Sequence, residues 1–248
     1  MTRPFTVAVA GKGGTGKTTV AALAAVLLAE RHMGAVLAVD ADPNTNLGDA
    51  LGLEVDKTIG QLREETMQRI ADISPGVTKD RLLEYGLHQC LVEGEGIDLL
   101  AMGRGEGPRC YCMVNHVLRK YIQALGDNYR YLVLDNEAGM EHLSRRTTQD
   151  VDALLVVSGP DPISLRAAER IAALVDDLGL RVGGRWLVVN GRRPPAPPIA
   201  SRPGGLQLAG EVPYDEEVYQ LALAGRPLTE LPGESPARRA MGEILTRL

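Results

Sequence analysis

Cysteine is scarce in this sequence, and three thiols among 248 residues exclude the dense disulfide framework of small secreted domains. Long apolar runs are also missing, since the run VAALAAVLLA is too short to cross a bilayer. The first residues, MTRPFTVAVAGKGG, lack the charged start, apolar middle and cleavage site of a signal peptide. These absences predict a cytoplasmic protein whose cysteines are thiols or metal ligands.

An excess of basic charge is missing too. Lys and Arg number 27 against 32 Asp and Glu, which gives a formal net charge of −5. Such a balance provides no general attraction to nucleic acid or anionic lipid, so we expect neither as a partner. No internal repeat is evident, and the length suits one domain over residues 1–248.

Short runs rich in Val and Leu recur along the chain, with helical patterns between most of them. They are FTVAVAG, AVLAVDAD, IDLLAMG, YRYLVLDNEAG, ALLVVSGP and RWLVVNG. Such runs are typical of strands buried on both faces of a parallel sheet. We therefore predict a three-layer α/β domain with a mainly parallel, twisted sheet of about seven or eight strands and helices on both faces. Ligands bind such sheets at the carboxyl ends of the strands.

The stretch GKGGTGKTT follows the first predicted strand and opens a helix. Gly11, Gly16, Lys17 and Thr18 match the Gly-x4-Gly-Lys-Thr phosphate loop, which predicts a P-loop that binds a nucleoside triphosphate. Backbone N–H groups would surround the phosphates, Lys17 would contact the β and γ oxygens, and the Thr18 hydroxyl would bind Mg²⁺. The residues expected to contact the nucleotide here are Gly11, Lys12, Gly13, Gly14, Thr15, Gly16, Lys17, Thr18 and Thr19.

Lys12 is a second lysine that an ordinary phosphate loop does not need, and taken alone it is more often a solvated charge. With Lys12 included, GKGGTGKTT resembles the deviant P-loop of the MinD, ParA and nitrogenase-iron-protein class of dimeric ATPases. The resemblance implies a homodimer in which Lys12 reaches the phosphates of the partner subunit, and so a catalytic role beside Lys17. Thr15 fills a variable position whose backbone does the binding.

Acidic residues follow two other predicted strands. VDADPNTNLG, with Asp40 and Asp42, is similar to the first switch of that class, which implies that Asp42 orients the attacking water and that Asp40 lies at the nucleotide. In YLVLDNEAG, Asp135 is a Walker B acid, and AGMEH (138–142) would be the second switch, where Gly139 can rotate. The alternative is that Asp40 and Asp42 form a turn or helix cap. The expected Mg²⁺ ligands are Thr18, Asp42 and Asp135.

The end of the chain carries the weakest resemblance to that class. LVVNG and EVPYDEEV resemble its adenine pocket, which implies Asn190 as the base reader with Pro213 and Tyr214 packed beside it. A buried strand-end asparagine followed by an ordinary turn is the alternative. RRPPAPPIASRPGG (192–205) is predicted as a surface loop, and its prolines and glycines exclude the helical segment expected there.

GEGPRCYCMVN places Cys110 and Cys112 two residues apart. Two thiolates do not fill a four-coordinate metal site, whereas a two-fold dimer would supply four. The alternative is that both are small, partly buried hydrophobes on a helix. Cys90, at helical spacing from Leu83 and Leu87, is predicted to be a core thiol, and His116 a surface or packing residue.

GKGGTGKTT, VDADPNTNLG, GPRCYCMVN and DNEAGMEHLSRRT, in this order over most of the chain, resemble the CooC-type nickel-insertion ATPases. GRGEGPRCYC with DNEAGMEHLSRR is most similar to an AcsF-like branch associated with acetyl-CoA synthase. The resemblance implies a nickel metallochaperone in which ATP joins Cys110 and Cys112 of two subunits around Ni²⁺ or Zn²⁺. Hydrolysis would then release the metal to a client, carbon monoxide dehydrogenase or acetyl-CoA synthase.

Two other functions stay open. A MinD- or ParA-type positioning ATPase would bind membrane or DNA, and the apolar stripe in PARRAMGEILTRL is its best support. Docking of that stripe on the body of the domain is the favoured explanation. An iron–sulfur carrier would hold its cluster on four cysteines of a dimer, but DNEAGMEH contains no cysteine. The stripe consists of Met241, Ile244, Leu245 and Leu248.

Overall fold

The computed structural model describes residues 3–30, 34–68, 86–104, 128–136, 150–193, 195 and 203–248. Eight strands of this part of the chain form one sheet. The strands are β1 (Phe5–Gly11), β2 (Val36–Asp40), β3 (Leu91–Val92), β4 (Ile97–Ala101), β5 (Tyr131–Asp135), β6 (Asp150–Ser158), β7 (Arg181–Arg192) and β8 (Gln207–Pro213).

The strand order is β3-β4-β2-β5-β1-β6-β7-β8. All neighbouring strands are parallel except the antiparallel pair of β3 and β4. Strand β1 lies between β5 and β6 near the middle of the sheet, with β2, β4 and β3 beyond β5 and with β7 and β8 beyond β6. The carboxyl ends of β1, β2 and β5 therefore meet at one edge.

Helices cover both faces of the sheet, as the sequence predicts. One face packs on α3 and α4, and the other packs on α1, α2, α5 and α6. The prediction of a three-layer, mainly parallel α/β fold is confirmed. The helices are α1 (Lys17–Glu30), α2 (Asn46–Leu51), α3 (Ile59–Gln68), α4 (Pro162–Asp177), α5 (Glu216–Leu223) and α6 (Pro236–Leu245), with a 3-10 helix at Leu228–Glu230.

Helix α1 holds the apolar run VAALAAVLLA. All residues from Val20 to Leu28 are buried, because the helix lies against β1 and β5 and is covered by α2 and α6. A helix that is apolar on every side needs such enclosure. No helix among the described residues has the length and apolarity to span a membrane.

Helix α6 buries its apolar stripe against β8 and α1. The side chains of Met241 and Ile244 are 0% and 1% exposed. Gly210 permits this contact, since a Cβ there would lie 2.8 Å from the Cγ1 atom of Ile244. The predicted docking of the stripe is confirmed, which removes the sequence support for a membrane-surface helix.

Two smaller predictions concern Cys90 and the proline-rich stretch. Cys90 is 1% exposed within the core below α3, together with Leu87, so its prediction as a core thiol is confirmed. In the stretch 192–205, Arg192 is the last residue of β7 rather than a loop residue. Most of the remaining stretch lies outside the described residues.

Candidate nucleotide-binding site

The phosphate loop joins the end of β1 to the start of α1, and its backbone requires glycine. Gly14 and Gly16 have φ angles of 79° and 85°, which other L-residues rarely adopt. A Cβ on Gly11 would lie 2.4 Å from the carbonyl oxygen of Val157 in β6. The loop therefore keeps a bare backbone at the N-terminus of α1, where free N–H groups bind anions.

The two lysines of the loop differ in exposure. Lys17 begins α1 and is only 8% exposed, as expected of a residue that contacts the phosphates of a nucleotide bound to the same subunit. Lys12 is exposed to solvent, while its backbone oxygen accepts a 2.8 Å hydrogen bond from the Thr15 hydroxyl. An outward ammonium at this edge is what a contact with a second subunit requires, and that contact stays a prediction.

Asp135 ends β5 with its carboxylate buried beside the phosphate loop. It is 1% exposed, and neither carboxylate oxygen has a hydrogen-bond partner among the described residues. The pKa of Asp135 is raised to about 7, mainly by burial and also by the charges of Asp40 and Asp42, while the nearby Thr18 hydroxyl and Lys17 act to lower it. The Thr18 hydroxyl is thus close to the Asp135 carboxylate, but it forms no hydrogen bond of normal geometry with either oxygen.

Two unpaired, buried oxygens carry a large desolvation cost unless a partner binds them. Carboxylate and hydroxyl oxygens are the ligands that Mg²⁺ prefers, and it binds proteins through one or two such groups together with substrate phosphates. Asp135 and Thr18 therefore fit a Mg²⁺ ion at this edge of the sheet.

Asp40 ends β2 directly opposite Asp135 in the strand register. One of its oxygens accepts from the backbone N–H of Leu47 at 2.8 Å, and the other accepts from the N–H of Asp42 at 3.0 Å. Burial raises the pKa of Asp40 to about 6, although these two hydrogen bonds lower it. These contacts match the alternative prediction for Asp40, a turn and helix cap, because Asp42 lies in the turn after β2 and Leu47 in the first turn of α2. Its expected contact with the nucleotide is untested.

Asp42 lies in the loop after β2 and is only half-buried. Its Oδ1 atom accepts from both the backbone N–H and the side-chain amide of Asn44, each at 2.9 Å. The amide oxygen of Asn44 accepts in turn from Arg104, just beyond β4, at 3.2 Å. This chain of hydrogen bonds orients the Asp42 carboxylate at the phosphate edge, where a water-orienting role is geometrically feasible.

Asn190 lies near the end of β7, and Tyr214 directly follows β8. The amide nitrogen of Asn190 donates a 2.9 Å hydrogen bond to the carbonyl oxygen of Thr15 in the phosphate loop. Pro213 ends β8, and the guanidinium carbon of Arg193 lies 3.7 Å from the centre of the Tyr214 ring. Asn190 therefore reaches the nucleotide edge, while its base-reading role stays a prediction.

Comparisons with known proteins agree with this geometry. The family model described as the CobQ/CobB/MinD/ParA nucleotide binding domain matches residues 6–228. The chain belongs to this family. It is an ATPase of the CobQ/CobB/MinD/ParA type, as the phosphate loop predicts.

Two relatives show how far the similarity extends. An uncharacterized ATP-binding protein of Methanocaldococcus jannaschii, MJ0685, is 39% identical over 98% of this chain and 97% of its own length. The carbon monoxide dehydrogenase accessory protein CooC of Rhodospirillum rubrum is 31% identical over 96% of this chain and 94% of its own. A ParA family ATPase of Chlorobium tepidum has the same fold, with a TM-score of 0.71, 20% identity and 98% coverage of both chains.

The sequence motifs locate most of this CobQ/CobB/MinD/ParA site, but they miss the residues that hold it in place. The side chains of Asn44 and Arg104 were not singled out, and neither was Arg193. For Arg104 a signal existed, because it is a polar residue that follows a predicted strand almost directly. The sequence also predicts only a backbone role for Thr15, whereas its hydroxyl donates to the Lys12 carbonyl oxygen inside the loop.

The cysteine pair lies outside the described residues, and so do His116 and the second switch with Gly139. Within the described ranges, no group of three His, Cys, Asp or Glu side chains is arranged to hold a metal ion. A site on Cys110 and Cys112 therefore stays a prediction.

Proposed function

We propose that this ATPase is a nickel metallochaperone whose two ATP-bound subunits join Cys110 and Cys112 into one thiolate site for Ni²⁺. Its 31% identity to the accessory protein CooC over almost the whole chain supports nickel as the cargo. The cargo would pass to a nickel enzyme, carbon monoxide dehydrogenase or acetyl-CoA synthase.

One structural observation connects the cysteines to the nucleotide. Arg104 contacts Asn44, which holds Asp42, and Cys110 follows Arg104 by six residues in the sequence. Arg104, six residues before Cys110 in the sequence, thus lies at the phosphate edge near a carboxylate that would sense the γ-phosphate. This placement favours a metal site that responds to ATP.

The proposed hydrolysis uses the described side chains as follows. Lys17 and the bare loop backbone would bind the phosphates, and Asp135 and Thr18 would hold Mg²⁺ with Asp42 nearby. Bound Mg²⁺ neutralises the phosphate charge. Asp42 orients the water that attacks the γ-phosphorus as the bond to the β-γ bridging oxygen breaks, which yields ADP and phosphate.

Lys12 is exposed to solvent and would contact the phosphates of the partner subunit. Loss of the γ-phosphate removes that contact, so the two subunits separate and the shared thiolate site opens. Ni²⁺ in this scheme is the cargo, and its release is coupled to hydrolysis.

The test is a Ni²⁺ titration of the reduced protein with and without Mg²⁺ and ATP, followed by sulfur-to-nickel charge-transfer absorption and by mass in solution. We expect one Ni²⁺ per two chains, and none in the Cys110→Ala/Cys112→Ala variant. Cys90→Ala is the matched control, since that thiol is buried in the core, and it should bind Ni²⁺ normally. Equal Ni²⁺ binding by the double variant would refute the proposal.

The same experiment separates the alternatives. ATP-driven dimers without thiolate-bound metal would favour a positioning ATPase, for which co-sedimentation with liposomes or DNA in ATP is the next test. A brown, oxygen-sensitive protein would favour an iron–sulfur carrier.

A further inference from the structure

Asn190 is aimed at the phosphate loop by an irregularity at the end of β7. The register of β7 with β8 shifts between Asn190 and Arg192, and Gly191 between them has a φ of 75°. A bulge of this kind turns a side chain out of the regular alternation of the strand. The amide of Asn190 consequently reaches Thr15, which is 175 residues away in the sequence.

The hydrogen bond continues through Thr15 into the loop. The Asn190 amide holds the Thr15 carbonyl oxygen at 2.9 Å, and the Thr15 hydroxyl holds the Lys12 carbonyl oxygen at 2.8 Å. The backbone N–H of Thr15 donates to the same Lys12 oxygen at 3.3 Å. Because Thr15 is only 8% exposed, water competes weakly for these bonds, and the turn from Lys12 to Thr15 is tied to β7.

The position of Asn190 is also one reason why residue 16 is a glycine. A Cβ atom on Gly16 would lie 2.2 Å from the amide nitrogen of Asn190. The amide therefore lies across the glycine at the start of α1, against the backbone that binds phosphate.

We propose that Asn190 is a positioning residue for the phosphate loop. It acts through Thr15 on the backbone of Lys12 and keeps the loop in the shape that accepts a triphosphate, whichever base is attached. Its contribution to ATP binding is thus largely independent of adenine. The proposal rests on the phosphate loop alone and does not depend on nickel.

Inorganic tripolyphosphate tests the proposal, because it carries the phosphates without a base. We would measure the Kd of Mg²⁺-tripolyphosphate, Mg²⁺-ATP and Mg²⁺-GTP by calorimetry for the parent protein and for Asn190→Ala. Loss of one partly buried hydrogen bond should weaken all three ligands by about tenfold, with an unchanged ratio of ATP to GTP affinity. Normal tripolyphosphate binding with weakened ATP binding would overturn the proposal and establish base reading instead.

Three further variants keep the test decisive. Thr15→Val removes the hydroxyl that holds Lys12 and should weaken tripolyphosphate binding, while Thr15→Ser retains the hydroxyl and should restore it. Asn190→Asp replaces the donor with a negative charge facing a carbonyl oxygen, so its loss should exceed that of Asn190→Ala. Equal tripolyphosphate affinity of Thr15→Val and Thr15→Ser would also contradict the proposal.

Discussion

The ends of β2 and β5 lie side by side, and they use the same residue type in opposite ways. Asp40 and Asp135 are register partners, both are buried, and burial raises the pKa of each. The oxygens of Asp40 are both bonded to backbone N–H groups, whereas those of Asp135 have no partner among the described residues. One carboxylate organises the loop after its strand, and the other is left available for a cation.

This difference shows that position at the phosphate edge does not by itself define a ligand. Asp40 is as fully buried as Asp135, but its two oxygens already hold Asp42 and the start of α2. A buried carboxylate without partners is the more informative feature, because its desolvation cost is offset only when it takes up a proton or binds a ligand.

The largest effect is expected from replacing Asp135, whose carboxylate oxygens have no hydrogen-bond partner among the described residues. Asp135→Asn removes a negative charge that Mg²⁺ needs, so we expect kcat for ATP hydrolysis to fall by about 100-fold or more. Steady-state assays over a range of Mg²⁺ concentrations would measure it. Asp152→Asn is the control, since that aspartate bonds to Arg3 and Thr6 near the start of β1. An active Asp135→Asn enzyme would remove Asp135 from the Mg²⁺ site.

The raised pKa values predict how stability depends on pH. Asp135 ionises at a usual value of 3.8 in the unfolded chain but at about 7 when folded. Between these values the unfolded chain binds fewer protons, so the free energy of unfolding decreases as pH rises, by as much as about 4 kcal/mol. Asp40 adds a smaller decrease that ends near its folded pKa of about 6.

Urea denaturation of the metal-free protein between pH 5 and 8 would test this dependence, with Asp135→Asn alongside it. The variant should lack most of the decrease above pH 6, because Asp135 is the one of these two carboxyls whose folded pKa lies above 6. Mg²⁺ should stabilise the parent protein more at pH 8 than at pH 6. Parallel pH profiles for parent and variant would show that Asp135 is not the titrating group.

Asp40→Asn should have the opposite balance of effects, with more loss of stability than of Mg²⁺ affinity. An asparagine keeps one acceptor oxygen but turns an N–H donor toward a backbone N–H, so one of the two hydrogen bonds becomes repulsive. We expect the free energy of unfolding to drop by about 2 kcal/mol. The apparent affinity for Mg²⁺ should change less than in Asp135→Asn. Loss of Mg²⁺ affinity without loss of stability would instead make Asp40 a ligand.

The smallest effect is expected at Arg104, which acts on Asp42 only through Asn44. Arg104→Ala should lower kcat by roughly threefold to tenfold with little change in the KM for ATP, since an exposed hydrogen bond contributes little energy. Arg104→Lys should recover part of the rate in single-turnover assays. Arg185→Ala, which breaks an exposed pair with Asp176 on α4 and β7, should leave the rate unchanged.

Local spacing was enough to predict the parts of the site that lie within one segment. The phosphate loop is one such segment, because glycines, lysine and threonine at fixed spacing between a strand and a helix specify both backbone and chemistry. Six strand runs were recognised by their apolar residues. Strand β3, with two residues, was too short to give a pattern, and β8 was obscured because QLAGEVP mixes polar and small residues.

By itself the sequence determined the family, the nucleotide chemistry and the burial of Cys90 and of the stripe on α6. Only the tertiary structure decided which of two adjacent aspartates is unpaired, and that Asn190 and Arg104 hold the loops of the site. These contacts join residues 175 and 60 positions apart. The order in which apolar strands pack sets such contacts, and no spacing along the chain records that order.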